Sequence, residues 1–177
     1  MFKSLREKFK GMFAKVQNSD LRGSVVSLQD FAAVKLAAEK GDAIARNNLG
    51  VTYASGQGIS KNDAASKEGQ KVEQNYTEAI KWFRLAAEQG NVEAQCNLAT
   101  LYYYGRGVDQ DYAETIKWLR LAADRGDTIA QFNLGEMYAQ GLGVAKDQKE
   151  AERWHKMTER GSQDVMDAHK AKKNKPF

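Results

Sequence analysis

The chain has 177 residues, of which 42% are hydrophobic, and this is enough for one domain with a sizeable core. Its one cysteine excludes a disulfide framework, and no spacing of its histidines, cysteine and carboxylates supplies the ligands of a zinc site. No stretch approaches transmembrane length and no apolar run at the start resembles a secretory signal, so we expect a cytoplasmic protein.

The net charge of +4 is unevenly distributed. Five basic residues against one acidic residue give residues 1–16 a charge of +4, and four lysines give residues 169–177 the same charge. The body between them therefore carries −4. Because nucleic-acid binding needs a basic surface, we expect no nucleic-acid partner unless the two termini act alone.

The first predicted element is a basic amphipathic helix over residues 1–19. Its apolar side chains recur at spacings of three and four and form one stripe with lysines opposite: Phe2, Leu5, Phe9, Met12 and Val16. Such a helix either caps the first repeat of the domain that follows or binds a membrane surface or partner through residues 1–17. The second alternative would hold the protein at the inner face of a membrane. Residues 17–23 predict a break, and the next helix is expected at about residues 24–40.

Four similar phrases that end in glycine follow: KLAAEKG at Gly41, RLAAEQG at Gly90, RLAADRG at Gly126 and KMTERG at Gly161. The last two intervals are 36 and 35 residues long. Self-similarity at this period is typical of stacked helix pairs. We therefore predict copies at about residues 41–89, 90–125 and 126–161 within a repeat domain of residues 20–168, followed by a basic tail, residues 169–177.

Each copy predicts the same two helices. An Asp or Asn after the glycine is expected to cap the first helix, whose Ala, Leu and Tyr at i, i+4 and i+8 share one buried face. Gly-x-Gly ends this helix, and the second helix carries a tryptophan column that we assign to the core: Trp82, Trp118 and Trp154. Gly-x-Gly also occurs in phosphate-binding loops, but no strand precedes it here and no Lys-Ser or Lys-Thr pair follows it.

The first copy is longer than the others. Gly41 and Gly90 are 49 residues apart, and the thirteen extra residues fall in the polar stretch 60–75. This stretch lacks aromatic residues, so we expect a solvated loop between the two helices of the copy.

The columns resemble a known repeat. The pattern A-x-x-x-L-G-x-x-Y-x-x-G-x-G-V followed by D-x-x-x-A-x-x-W is matched in the last copy by Ala130, Leu134, Gly135, Tyr138, Gly141, Gly143, Val144, Asp147, Ala151 and Trp154. It is similar to the Sel1-like repeat, a relative of the tetratricopeptide repeat, over about residues 30–161. The resemblance implies an all-α, right-handed α-solenoid of about three and a half helix-turn-helix repeats. It also implies scaffolding or adaptor roles in bacteria and in eukaryotic quality control. A secreted subgroup linked to β-lactam hydrolysis has a Cys pair in every repeat, which this chain lacks.

The first helices are also predicted to line a concave groove. At about 100° per residue, the columns three, six, ten and thirteen after each glycine point away from the Leu seam. Several of these positions carry apolar side chains, and an apolar patch on a polar surface is typical of an interaction site. The predicted partner-binding residues are Ile44, Asn47, Val51, Cys96, Asn97, Tyr103, Ile129, Phe132, Asn133 and Glu136.

Two of these residues, Tyr103 and Phe132, are expected to anchor a partner because aromatic residues dominate the binding energy of interfaces. Asn48, Asn97 and Asn133 border the stripe and have two interpretations. They bond the backbone of a bound peptide, or they bond within the helix lattice. The ligand would be an amphipathic helix or an extended peptide, from a partner or from the N-terminus of another copy.

No catalytic constellation is predicted. His155 and His169 are not placed beside Cys96 by the repeat lattice, so no nucleophile and base are paired. We expect no cofactor, no metal and no small-molecule substrate. The sequence therefore favours a non-enzymatic adaptor that binds a protein or peptide partner. An inhibitor or immunity-type protein that masks one toxin or enzyme is the first alternative, and a peripheral membrane scaffold is the second.

Overall fold

The computed structural model describes residues 21–24, 28–56 and 73–173, and these residues form helices and connecting loops only. The predicted helix over residues 1–19 lies outside them, and so does most of the 60–75 insertion. The described residues contain seven helices: α1 (Leu28–Glu39), α2 (Ala43–Ser55), α3 (Tyr76–Glu88), α4 (Val92–Tyr104), α5 (Tyr112–Ala123), α6 (Thr128–Gln140) and α7 (Gln148–Lys173).

Helices that are neighbours in the chain are also neighbours in space. The principal contacts are α1 with α2, α2 with α3 and so on to α6 with α7. The pairs α2–α3, α4–α5 and α6–α7 are three complete repeats, and α1 is the second helix of an incomplete one. The all-α solenoid expected from the repeats is therefore confirmed for the described residues.

Capping side chains begin the first helix of each repeat, as predicted. Asp42, Asn91 and Asp127 accept hydrogen bonds from the backbone N–H three residues further on, each at 2.8 Å. These bonds satisfy one of the donors that the first turn of a helix leaves without an internal partner. The second helices α3 and α5 begin in the same way at Asn75 and Asp111.

The Gly-x-Gly loops end one helix and join two repeats. Gly105 and Gly141 end α4 and α6 in the left-handed conformation, at φ 65° and 75°, which a residue with a side chain resists. The second glycine of the middle loop, Gly107, lies against the start of α3 in the preceding repeat. A Cβ at Gly107 would lie 2.5 Å from Cβ of Tyr76. The glycines thus have a structural role in the contact between repeats.

The predicted seam is buried. The leucine column and two of the tryptophans are at most 5% exposed: Leu49, Leu98, Leu134, Trp118 and Trp154. Trp82 is half-buried and packs against a smaller cluster that contains Ala38 and Ala45. The assignment of the tryptophan column to the core is therefore confirmed for Trp118 and Trp154, whereas Trp82 lies at the edge of the smaller cluster.

The helices differ from the prediction at both ends of the repeat domain. α1 begins at Leu28, and Ser24, where we expected the helix to begin, is not helical. At the other end α7 continues through Gly161 to Lys173, beyond the expected end of the last copy. The three earlier phrase-ending glycines have positive φ and turn the chain, whereas Gly161 does not. Ser162 follows Gly161 where Asp or Asn follows the earlier glycines, and the helix continues through both residues.

Replacing Trp118 by alanine is expected to cost about 3–5 kcal/mol of unfolding free energy, because it leaves a large cavity in the middle repeat. Leu121 lies three residues further along α5 and is 38% exposed. Leu121→Ala is therefore the matched control, with an expected loss below about 1 kcal/mol. Urea denaturation followed by circular dichroism measures both losses. Equal losses would contradict the assignment of the tryptophan column to the core.

Candidate functional site

Four residues of the chain itself lie on one face of the first helices. Leu21–Ser24 form neither helix nor strand, and they bond to residues of α2 and α4 and to the residue that caps α6. We call these four residues the resident segment. The surface that they contact, which we call the groove, is lined by Asn47, Asn48, Glu93, Cys96, Asn97 and Asp127.

The side chain of Asn97 pairs with both backbone polar groups of one residue of the resident segment. Arg22 N–H donates to Asn97 Oδ1 at 2.8 Å, and Asn97 Nδ2 donates to the Arg22 carbonyl oxygen at 2.8 Å. Asn47 Nδ2 donates to the same carbonyl at 2.9 Å. Because a carbonyl oxygen has two lone pairs, the two amides together saturate it.

The two amides are also bonded to each other and to a carboxylate. Asn97 Nδ2 donates to Asn47 Oδ1 at 3.0 Å, and Asn47 Nδ2 donates to Glu93 Oε2 at 3.1 Å. Each amide nitrogen thus makes two hydrogen bonds, which uses all its donors. Asn47 and Asn97 are 0% and 1% exposed, so their polar groups depend on these partners rather than on bulk water.

The Arg22 side chain crosses the groove to the start of α6. Its Nη1 donates to Asp127 Oδ2, the carboxylate that also caps α6. Burial by itself lowers the pKa of Arg22, but the nearby Cys96, Asp127 and Glu93 outweigh burial, and the pKa is raised. Arg22 is therefore charged at any physiological pH, and the groove holds this charge with acidic residues.

The single cysteine of the chain, Cys96, lies beside Arg22 and is 6% exposed. Burial, helped by Asp127 and Glu93 and opposed by Arg22, raises the pKa of Cys96 to about 12. The thiol is therefore protonated near neutral pH, and a protonated thiol is a poor nucleophile and metal ligand. Within the residues that the structure describes, no cluster of three or more His, Cys, Asp and Glu side chains could hold a metal ion.

The structure brings four of the predicted site residues to the resident segment. Asn47 and Asn97 bond its backbone, Cys96 lies beside Arg22, and Val51 lies under Gly23. The other six predicted residues are placed elsewhere along the first helices. Ile44 is 66% exposed, Asn133 and Phe132 are buried, and Tyr103, Ile129 and Glu136 are half-buried.

The expectation that Phe132 is an exposed anchor is wrong. Phe132 is 6% exposed, and its ring stacks on the ring of His155 with 5.2 Å between centroids. Glu136 Oε1 lies 3.5 Å from His155 Nε2, so this second predicted residue also belongs to the contact between α6 and α7. A helical wheel places a residue relative to its own helix only, and it could not show that a side chain of α7 covers this position.

The other predicted anchor, Tyr103, packs against two neighbouring tyrosines. Its ring centroid lies 4.9 Å from that of Tyr104 and 5.3 Å from that of Tyr112 at the start of α5. Burial, and then the neighbouring Tyr112, raises the pKa of Tyr103. Tyr103 is half-buried, and its contact with a partner stays a prediction.

Sequence reasoning missed Leu21, Arg22 and Gly23, which we interpreted as part of a break between helices. It also missed the second role of Asp127, which we predicted only as a helix cap. The bond between Arg22 and Asp127 spans 105 residues of sequence. No local pattern in residues 17–23 indicates such a contact.

The fold and groove define a stack of helix pairs whose first helices engage a peptide backbone. The Sel1 repeat family matches residues 43–68, 64–91, 92–127 and 128–158, and the chain belongs to this family. The first two matches meet inside the insertion, so the long first copy is matched in two parts. Proteins with Sel1 repeats are generally non-enzymatic scaffolds for protein–protein interaction.

Two solved structures are similar to the chain. One is a Sel1 repeat protein from Oxalobacter formigenes, with a TM-score of 0.63 and 26% identity over 78% of this chain and 98% of that chain. The other is a protective antigen present in uropathogenic Escherichia coli strains that displays an SLR fold, with a TM-score of 0.50 and 30% identity. That match covers 73% of this chain and 33% of the antigen, so the chain spans about a third of its length. A search among curated proteins gave no match.

None of the helices in the described ranges is both long enough and apolar enough to cross a bilayer. The predicted membrane-surface contact falls on residues 1–17, which lie outside those ranges. Cytoplasmic residence and contact with a membrane both stay predictions.

Phe132→Ala is expected to cost about 3–5 kcal/mol of unfolding free energy, because Phe132 is buried against His155. Ile44 is an apolar residue near the start of α2 that is 66% exposed, and Ile44→Ala is the control, with an expected change within about 0.5 kcal/mol. Chemical denaturation of both variants measures the difference. Retention of full stability by Phe132→Ala would restore the interpretation of Phe132 as a surface residue.

Alkylation of Cys96 is expected to be slow and to depend on pH in a characteristic way. Because the pKa is raised to about 12, the thiolate fraction of the native chain should rise about tenfold per pH unit from pH ~7 to ~10 without levelling off. The same chain unfolded in guanidinium should level off above pH ~9. Rates of reaction with iodoacetamide, followed by mass spectrometry, test this. A native profile that levels off near pH ~9 would show that burial does not control the thiol.

Proposed function

We propose that the protein is a non-enzymatic adaptor that binds a short peptide of a protein partner in its groove. The observation that carries this proposal is the pair of bonds from the Asn97 amide to the backbone N–H and C=O of Arg22. Every peptide has these backbone groups, so a side chain that pairs with both of them is suited to peptides of different sequence.

The same contacts favour one form of ligand. The resident segment is not helical, and Asn47, Asn48 and Asn97 all direct their amides to its backbone. A helix bonds most of its backbone groups internally and could not satisfy these amides. Of the two ligand forms expected from the sequence, we therefore favour a non-helical peptide over an amphipathic helix.

The chemistry of the groove supports binding rather than catalysis. The raised pKa of Cys96 keeps its thiol protonated, and the Asp127 carboxylate is engaged by Arg22 and by the backbone of α6. His155 lies against Phe132 and Glu136, not at the groove. The described groove residues therefore do not include an activated nucleophile paired with a histidine base.

Selection from a displayed library of random dodecapeptides on the immobilised full chain tests the proposal. Peptides that bind in the groove should lose at least about tenfold in affinity on Asn97→Asp, since a carboxylate cannot donate to the peptide carbonyl. Asn91→Asp is the matched control, because it adds the same charge at the start of the same helix. Aspartate already caps the other two first helices at this column, so the control fold is expected to be intact.

Circular dichroism of Asn97→Asp and Asn91→Asp shows whether both variants are folded. Binders that distinguish the two variants support the proposal. Binders that tolerate both substitutions equally would contradict it, and so would selections that yield no binder either on the wild type or on Gly23→Val, a variant expected to displace the resident segment.

A further inference from the structure

The groove contacts the side chains of the resident segment as well as its backbone. Leu21 is 8% exposed and belongs to the main hydrophobic cluster. Arg22 is ion-paired with Asp127 and lies in the field of Glu93. These contacts suit an apolar side chain followed by an arginine, whose Nη1 reaches Asp127 across the groove.

At the third position the groove leaves no room for any side chain. Gly23 has φ +127°, a conformation that L residues rarely adopt. A Cβ there would lie 2.5 Å from Asn47 Nδ2, 3.0 Å from Asn48 Oδ1 and 3.2 Å from Val51 Cγ2. The fourth residue, Ser24, contributes its backbone N–H, which donates to Asn48 Oδ1 at 3.0 Å. The contacts therefore specify the order apolar, arginine, glycine, any residue.

All of these contacts could be reproduced by a peptide from another chain. The resident segment is four residues long and is held by side chains of the first helices, not by membership of a helix or sheet. Only three residues separate Ser24 from α1, so the segment is present at a high effective concentration. A partner peptide must therefore displace it, and its apparent affinity is reduced by the fraction of chains with a closed groove.

We infer that the groove accepts peptides with an apolar residue, an arginine and a glycine in succession, and that Leu21–Ser24 is an intramolecular competitor for them. This inference rests on the proposed function and narrows its ligand class. Displacement of the resident segment opens the groove, and Asn47, Asn97 and Asp127 then pair with the partner peptide instead.

Gly23→Val in the full chain tests the competition, because valine clashes with Asn47 and should expel the resident segment without changing the groove itself. Ala33→Val is the control, since Ala33 is an exposed residue of α1. The probe is a fluorescein-labelled peptide with the sequence of residues 18–26, NSDLRGSVV, followed by fluorescence anisotropy. We expect the apparent Kd for Gly23→Val to be at least about tenfold lower than for the wild type or Ala33→Val.

Two changes in the probe test the sequence preference. Versions of the peptide with Arg22→Ala or Gly23→Val should bind the Gly23→Val chain at least about tenfold more weakly than the unchanged peptide. Loss of the arginine removes the ion pair with Asp127, and a valine in place of the glycine meets Asn47. Equal binding of all three peptides would overturn the sequence preference.

The single cysteine reports the state of the groove without any peptide. Cys96 lies beside Arg22, so expulsion of the resident segment in Gly23→Val should speed its alkylation at least about tenfold, and added NSDLRGSVV should reverse this. Circular dichroism verifies that Gly23→Val is folded. Should it unfold, Arg22→Ala replaces it, because this variant breaks the ion pair and leaves Gly23 in place.

The two readouts separate a failure of this inference from a failure of the proposed function. Unchanged Cys96 alkylation in the folded variant, together with library peptides that bind wild type and variant equally, overturns only the competition. Faster alkylation with no binding of any peptide overturns the proposed function as well. A wild-type dimer that becomes a monomer in Gly23→Val would place the segment in a second copy and overturn the intramolecular arrangement.

Discussion

The close approach of the two helices within each repeat is the constraint on which the rest of the structure depends. A Cβ at Gly50 would lie 2.6 Å from the Phe83 ring, and a Cβ at Gly135 would lie 2.6 Å from the His155 ring. Alanine occupies this column in the middle repeat, where leucine replaces the ring. Small residues therefore face large ones across each helix pair, and the fully buried leucines lie beside them. Because each helix packs chiefly on its neighbours in the chain, a change in the packing of one helix pair would shift the position of every repeat after it.

Correct stacking is what creates the groove. Asn47 and Asn97 are 50 residues apart and belong to different repeats, yet their side-chain amides are bonded to each other at 3.0 Å. Asp127 comes from a third repeat and reaches the same four-residue segment. A peptide that contacts all three residues requires the correct spacing between the first helices. If the repeats moved apart, the groove would therefore be lost while the individual helices remained.

An intramolecular ligand changes what such a groove can do. The amides that bond the backbone are compatible with many peptide sequences. The ion pair at Asp127 and the lack of space over Gly23 are compatible with few. A competitor built into the chain lowers the apparent affinity of every partner peptide by the same factor. Peptides that bind only through their backbone have the weakest intrinsic affinity, so they are the first to be excluded. The neutral thiol of Cys96 and the engaged carboxylate of Asp127 leave the site suited to binding, not to covalent chemistry.

The sequence by itself determined the repeat, the capping residues, the Gly-x-Gly helix ends and the leucine and tryptophan core, because each depends on spacing within one helix or between adjacent copies. It left Asn97 with two interpretations: Asn97 bonds Asn47 within the lattice, its bonds to the Arg22 backbone are to the chain itself, and binding of a partner's backbone stays a prediction. Only the tertiary structure decided that Phe132 is covered by His155 and that Leu21–Ser24 lie in the groove. These contacts join residues of different helices, or residues as much as 105 positions apart, and periodicity within one helix carries no information about them.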